Sequence, residues 1–251
     1  MRANEAPPAE QDARRIPATE RVLDFILREM DQGRLRPGAR INAARISATL
    51  QLSAAPVREA LGVLAGRGVV DLLPDRGAVM RPLTPSEVCQ LWELIGPISA
   101  VGLSQAAAAI QHGADPEELE RKYADIVAAA AGSSALAFIL SLNDWHFTAN
   151  GLGGNPFVSL SLDRLGVAYW DRYLVELVDV FANIAGYLEN YRRMHEAVMA
   201  ADGAAAAAIL IYHANWSIKL VRSAEARLAR TPRRKRRVPD RQSEAAVNRL
   251  N

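Results

Sequence analysis

The chain has 251 residues, of which 50% are apolar, so it is long enough for one large domain or two ordinary domains with a buried core. Its single cysteine, Cys89, excludes a disulfide framework and any zinc or iron–sulfur site built from several cysteines. The first residues contain no apolar stretch typical of a secretion signal, and no segment reaches the roughly 18 uncharged apolar residues of a membrane-spanning helix. We therefore expect a soluble, cytoplasmic protein.

The formal net charge of +2 is distributed unevenly along the chain. Residues 18–84 carry a net +3, residues 85–229 a net −7, and residues 230–251 a net +6. An acidic middle between basic segments indicates that the ends of the chain meet a polyanion. Residues 1–17 contain three prolines and no periodic apolar pattern, which predicts a flexible arm.

Residues 18–84 begin with the pattern of three short helices. The first helix has an apolar stripe that repeats every four residues, at Val22, Ile26 and Met30. Residues 43–50 are predicted to form the second helix. Ser53 can cap a third helix, which holds Pro56 in its first turn, where a missing N–H costs little.

The period then changes from that of a helix to that of a strand. Residues 69–73 and 78–82 are short aliphatic runs on either side of the turn residues 74–77, which predicts a hairpin. Three short helices closed by a two-stranded hairpin make a winged helix-turn-helix domain.

From residue 85 onward the signals are helical. Thr84 and Glu87 form a capping box at the start of this region. We expect helices near 85–111, 115–131, 135–151, 156–181, 182–201 and 203–229, packed as an antiparallel bundle with a ligand site among the helices. The basic tail from Arg230 has too little apolar material to fold. The predicted fold is mainly α: an N-terminal winged helix-turn-helix and a C-terminal all-helical antiparallel bundle.

Several motifs in both regions match a known family. Arg36-Pro37-Gly38, residues 53–61 (SAAPVREAL), Gly68-Val69-Val70 and Arg76-Gly77 resemble the signature of the GntR family of bacterial transcription regulators. Residues 147–156, which follow His146, and residues 191–213 resemble its FadR-like subfamily, which has an all-helical FCD effector domain. The resemblance implies a homodimeric, ligand-responsive regulator of a palindromic operator in double-stranded DNA, most often a repressor.

The resemblance also implies residues that bind DNA. Arg58 follows the inward Val57 and points away from the core, toward the groove that this helix would enter, where an arginine can read guanine. The alternative is that Arg58 pairs with Glu59 and only solvates the helix. Arg76 and Gly77 lie at the tip of the wing, where arginine favours a narrow minor groove; the alternative is an ordinary turn.

Arg45 and the Ser53 hydroxyl are candidate phosphate contacts. The family usually has an arginine and a threonine where this chain has Ala54-Ala55, so Ala55 occupies a DNA-facing position without a polar side chain. This departure predicts a shifted operator sequence or weaker binding. The tail over 230–251 either strengthens binding to any DNA or is a solvated end.

The FCD subfamily often holds zinc, nickel or manganese on one aspartate and three histidines. The corresponding positions here are Leu142, His146, Tyr191 and His213, so two of the four ligands remain, His146 and His213. They either bind a metal whose remaining coordination positions are filled by a ligand or by water, or they form hydrogen bonds within a pocket.

A second departure concerns the effector. The family often has an arginine and a glutamate in the segment where this chain has Ile95 and Ser99, with Gly96-Pro97 expected to kink the helix. Losing that arginine weakens the expectation of an organic acid and makes a more apolar or aromatic metabolite plausible. The candidate pocket residues are Trp92, His146, Asn155, Tyr191 and His213.

Two other classes of function stay open from the sequence. One is a DNA-binding regulator that has lost metal and effector binding. The other is a metal-dependent enzyme built on His146 and His213, although no nucleophile elbow and no phosphate-binding glycine loop is present in the sequence. We therefore expect a protein that is not an enzyme.

Overall fold

The computed structural model describes residues 16–74 and 77–230. The N-terminal region contains helices α1 (Ala18–Asp31), α2 (Ala43–Leu50) and α3 (Ala54–Gly66), with strands β1 (Arg40–Ile41), β2 (Val70–Leu73) and β3 (Gly77–Met80). The strands form one antiparallel sheet in the order β1-β3-β2. This confirms the predicted winged helix-turn-helix. Strand β1 was not predicted, because two residues are too few to show an alternating pattern.

The core of the winged domain comes from the faces that the periodicity predicted. Val22 and Ile26 of α1, Val57 and Leu64 of α3 and Met80 of β3 are all fully buried. At the start of α2, the Asn42 side chain accepts a hydrogen bond from the backbone N–H of Arg45. This cap fixes where the helix begins, and so positions α2 ahead of α3.

The C-terminal region is helical throughout its described residues, as predicted. Its helices are α4 (Pro85–Gln111), α5 (Glu117–Ala130), α6 (Ala135–Leu152), α7 (Pro156–Arg164), α8 (Val167–Leu177), α9 (Ile184–Met199) and α10 (Gly203–Arg230). The capping box between Thr84 and Glu87 is present. Helix α4 continues through Gly96-Pro97 without a break, and the kink expected there stays a prediction.

One predicted helix, over residues 156–181, is wrong. The chain forms α7 and α8 instead, separated at Gly166, whose φ of +68° is the left-handed conformation that favours glycine. The Trp170 indole donates a hydrogen bond to the carbonyl oxygen of Leu165 and closes this turn. A second break follows α8, where Val178 is extended and a short 3-10 helix, Phe181–Asn183, precedes α9.

Helices α4 and α10 form the most extensive helix contact of the described chain. By length and composition alone, both are apolar enough to cross a membrane, contrary to the sequence expectation. Many of their apolar side chains, including Leu103 and Leu210, are buried in the bundle core. Packing within the protein accounts for these buried residues.

Helix α8 joins the two regions. Its residues Tyr169, Trp170 and Tyr173 belong to the buried cluster of the winged domain. On the same helix, Arg172 forms an ion pair with Asp31 of α1. The C-terminal region therefore inserts part of one helix into the core of the N-terminal region.

Candidate nucleic-acid interface and ligand cavity

The outer face of α3 presents one basic side chain. Arg58 is exposed and forms no hydrogen bond or ion pair with the residues that the structure describes. The neighbouring Glu59 instead accepts a hydrogen bond from the Thr19 hydroxyl of α1, at 3.0 Å. Arg58 is thus not engaged by Glu59 and is available to a base edge in a groove.

Arg45 and Ser53 lie on either side of the connection between α2 and α3. The Arg45 side chain is exposed, whereas its backbone N–H is held by Asn42. Ser53 occupies the N-cap position of α3, but its exposed hydroxyl makes no capping hydrogen bond. Both groups can therefore donate to phosphate oxygens.

The first turn of α3 is apolar on its outer face. Ala54 and Ala55 are both exposed, so the surface where the family has longer polar side chains is small and smooth. A methyl group of this kind can contact the methyl of thymine but donates no hydrogen bond.

The structure changes the interpretation of Gly77. Gly77 is buried in the sheet, and a Cβ placed on it would lie 2.8 Å from the carbonyl oxygen of Ile41. Glycine is needed here so that β3 can approach β1, a requirement that the sequence interpretation of a groove-facing glycine missed. Arg76 lies outside the described residues, so its predicted contact with the minor groove stays a prediction.

A cavity lies inside the C-terminal bundle, between α4, α6, α7, α8, α9 and α10. Its enclosed volume is about 30 Å³, room for about two water molecules, so a larger ligand must displace part of the lining. Its polar lining comes from Ser99, Asn143, His146, Asn150, Asp171 and Tyr191. Trp92 and Phe147 contribute aromatic surface. We call this space the effector cavity.

Several polar atoms of the effector cavity are buried without a hydrogen-bond partner in the described protein. They are Nδ1 of His146 and both Oδ1 and Nδ2 of Asn150. Burial lowers the pKa of His146 to about 4, so its ring is neutral at pH 7. Such atoms are costly to leave unpaired, which makes this part of the bundle a place where a ligand gains hydrogen bonds.

Asp171 is the carboxylate of the effector cavity. It is 8% exposed, and burial raises its pKa to about 6, against the opposing effects of Asn143 and the Arg172 charge. Arg172 itself turns away and pairs with Asp31. Among the described residues, Asp171 has no ion-pair partner.

His213 lies beside the effector cavity rather than in its lining. It is 1% exposed, and its Nδ1 accepts a hydrogen bond from the Asn190 amide at 3.2 Å. Its ring makes edge contacts with Trp92 and Tyr191, which do line the cavity. Burial, with a smaller contribution from the His146 charge, lowers the pKa of His213 to about 3.

Comparison with known proteins supports this two-part arrangement. The family of bacterial regulatory proteins called gntR matches residues 18–80, and the FCD domain matches residues 99–215. The chain belongs to the GntR family and carries an FCD domain. It is therefore a ligand-responsive, DNA-binding transcription regulator.

Relatives of this GntR regulator are recognisable at low sequence identity. A protein of Paenarthrobacter nicotinovorans named "Probable D-xylose utilization operon transcriptional repressor" is 25% identical over 79% of this chain and 86% of its own length. McbR/YncC of E. coli has the same fold, with a TM-score of 0.71 at 18% identity over 84% of this chain and all of that one. A transcriptional regulator GntR from Rhodococcus sp. RHA1 gives 0.68 at 19% identity, over 82% and 98% of the two chains.

The metal site found in many FCD domains does not fit these residues. Leu142 and Tyr191 stand at two of the four ligand positions, and both are buried within the bundle core. His213 is already held by Asn190. In the described part of the chain, no group of three His, Cys, Asp or Glu residues could hold a metal ion. The remaining pair of neutral imidazoles is a poor metal site.

The predicted effector residues of the FCD domain are only partly brought together. Trp92, His146 and Tyr191 line the cavity, and His213 contacts its wall. Asn155 does not line it; it is the N-cap of α7, where its side chain accepts a hydrogen bond from the backbone N–H of Phe157 at 3.0 Å.

The sequence interpretation missed Asp171, Asn143 and Asn150. The signal for Asp171 was weak, because one acidic residue in a helical segment is normally solvent-exposed. The feature of the sequence that indicated burial was its position between aromatic residues, in Tyr169-Trp170-Asp171-Arg172-Tyr173.

Proposed function

We propose that this GntR regulator is a homodimeric, cytoplasmic repressor. It binds a palindromic operator through α3 and the wing, and a small molecule in the effector cavity changes its affinity for that operator. The winged domain corresponds to residues 18–84, and residues 85–229 form the effector and dimerisation domain. The protein acts by binding and not by catalysis.

One observation carries the proposal: α8 contacts both functional regions. Val167 and Asp171 line the effector cavity, while Tyr169, Trp170 and Tyr173 are buried in the winged domain. A ligand that moves α8 must repack the winged domain or reorient it. Binding in the cavity is thereby coupled to the placement of α3.

The homodimer is supported by exposed apolar side chains on two packed helices. Leu94 and Val101 of α4 are 50% and 48% exposed, and Phe157 and Leu160 of α7 are 74% and 44% exposed. Large apolar groups on a surface mark interaction sites. A two-fold dimer also supplies the second half-site that one recognition helix cannot reach.

Repression is supported by analogy with the relative from Paenarthrobacter nicotinovorans, which is named a repressor. The proposed mode of action does not require a metal, because the four family positions hold two histidines, a leucine and a tyrosine. The basic residues after Arg230 and the arm before Ile16 lie outside the described residues, and their predicted roles stay predictions.

The proposal is tested by DNA capture. Purified protein is incubated with fragmented genomic DNA of its own organism at near-physiological salt, and the bound fragments are sequenced. We expect enrichment of one short palindrome upstream of a few genes. Uniform recovery of all fragments would contradict sequence-specific regulation.

A further inference from the structure

The centre of the outer face of α3 is made of two small residues. The buried side of this helix consists of Val57, Ala60, Leu61 and Leu64. At about 3.6 residues per turn, the opposite side is centred on Ala55 and Gly62, which are both exposed. A Cβ built on Gly62 would meet no atom within 4 Å. With so little side chain along its centre, α3 can come close to the base edges at the floor of a groove.

Two long polar side chains flank this face, and only one of them is free to contact bases. Glu59 accepts a hydrogen bond from the Thr19 hydroxyl at 3.0 Å, which holds its carboxylate toward α1. Arg58 is exposed and has no hydrogen-bond or ion-pair partner among the described residues. Arg58 therefore supplies hydrogen bonds to a base, whereas the centre of the face can offer only apolar contact.

The methyl group of Ala55 lies at the end of α3 that a helix-turn-helix domain brings to the base edges. Ala55 is the second residue of the helix and precedes Arg58 by about 4.5 Å along the helix axis. Since successive base pairs are ~3.4 Å apart, the base pairs that meet these two residues are one or two steps apart. In the major groove, the apolar group on a base edge is the C5-methyl of thymine.

We propose that α3 reads a thymine through the methyl group of Ala55, one or two base pairs from the guanine that Arg58 reads. This inference rests on the proposed function, in which α3 enters the major groove of the operator. It selects a shifted operator sequence over weaker binding as the consequence of the apolar first turn. The pair of contacts makes each half-site specific without a second polar side chain at the centre of the face.

The first test is selection from a library of random DNA duplexes. The full-length protein is incubated with the library at near-physiological salt, and the bound duplexes are amplified and sequenced. We expect each enriched half-site to contain a guanine with a thymine one or two base pairs away. An enriched motif without such a thymine would overturn this proposal alone, whereas the absence of any enriched motif would overturn the proposed function and this inference with it.

The second test removes the thymine methyl from the selected operator. Deoxyuridine replaces the thymine, which keeps the Watson–Crick pair and deletes the C5-methyl group. Wild-type protein should bind this operator about fourfold less tightly, as expected for the loss of one buried methyl contact. Deoxyuridine in place of a thymine between the two half-sites is the control on the DNA and should leave the affinity unchanged. Fluorescence anisotropy measures each affinity.

A double-mutant cycle then assigns the contact to Ala55. Ala55→Gly removes the side-chain methyl and should bind the thymine and deoxyuridine operators equally well. Ala48→Gly, the same change at an exposed position of α2, is the control and should retain the fourfold ratio. Circular dichroism and melting curves establish that both variants are folded.

The outcomes separate the contact from the residue that makes it. Equal binding of the thymine and deoxyuridine operators by wild type would overturn the methyl contact, and this measurement requires no change in the protein. A fourfold ratio that persists in Ala55→Gly would overturn the assignment to Ala55 and leave sequence-specific DNA binding in place.

Discussion

At the scale of single residues, the bundle keeps three titratable side chains in environments that disfavour charge. Burial raises the pKa of Asp171 to about 6 and lowers the pKa of His146 to about 4 and of His213 to about 3. The two histidines must be neutral in the folded state, so the protein loses stability as the pH falls below about 6.5. The raised pKa of Asp171 has the opposite effect, because it makes the folded state relatively more stable at low pH.

The Asp171 contribution gives a prediction with a defined sign. Its folded-state pKa lies above the unfolded value of 3.8, so the stability that this group contributes at low pH is lost as the pH rises through about 6. Asp171→Asn should therefore stabilise the protein relative to wild type by up to about 3 kcal/mol more at pH 8 than near pH 4. Urea unfolding at both pH values measures this, and an equal difference at the two would contradict the burial of Asp171.

The metal positions give a second prediction. Stoichiometric zinc should not raise the melting temperature of the wild-type protein, because Leu142 and Tyr191 cannot replace the missing aspartate and histidine. The double variant Leu142→Asp, Tyr191→His restores the family's four ligand types and should be stabilised by zinc. Tight zinc binding by the wild type, measured by metal analysis after dialysis, would show that another set of residues forms a site.

Arg58 gives a third prediction. Arg58→Ala should lower the affinity for the operator and leave the affinity for unrelated DNA of the same length nearly unchanged, a loss of discrimination of ~1–3 kcal/mol for each base pair that Arg58 reads. Arg193→Ala, which removes an exposed arginine of the bundle, is the control. Fluorescence anisotropy with both DNA fragments measures the change. Full selectivity in Arg58→Ala would show that α3 does not read the operator through this residue.

At the scale of elements, periodicity predicted those helices whose ends are set locally. Helix α4 was predicted at its observed bounds because a capping box starts it and Gly113 follows it. The break between α7 and α8 was missed because tertiary contacts set it: Gly166 lies against Val69 and Arg67 of the winged domain. No local pattern carries that information.

The same limit explains what was predicted of the site. The motif resemblance identified His146 and Tyr191, and Trp92 was a candidate as an aromatic residue of the helical region; all three line the effector cavity. Asp171 was not identified because it fell within a helix predicted as continuous over 156–181. No local pattern in such a helix distinguishes a buried carboxylate from an exposed one. The break at Gly166 starts α8, the helix that carries Asp171 into the cavity lining.

Gly166 gives a prediction at this scale. Gly166→Ala should destabilise the protein by about 1–3 kcal/mol, because its φ of +68° is strained for alanine and the new Cβ would lie 3.0 Å from Cγ2 of Val69. Gly151→Ala is the control: that glycine lies in α6 with open space around it, so alanine should be neutral or slightly stabilising. Equal melting temperatures for Gly166→Ala and wild type would contradict the tight packing of the α7–α8 turn against the winged domain.

At the scale of the whole molecule, the two regions are packed together and not merely tethered. The ion pairs Arg67–Asp163 and Arg172–Asp31 add to the contact made by the buried aromatic residues of α8. A ligand acts on DNA binding only if it has different affinities for the two placements of the winged domain. The contact through α8 provides the physical route for that difference.

The most direct test of this account measures operator affinity with and without ligand. The small molecule that stabilises the protein most in a thermal-shift panel is added at saturation to wild-type protein and labelled operator, and anisotropy gives both affinities. We predict a change in operator affinity of about fivefold or more, together with an equal change in ligand affinity when operator is present, because coupling is reciprocal. Operator affinity that is unchanged at saturating ligand would contradict coupling between the effector cavity and α3.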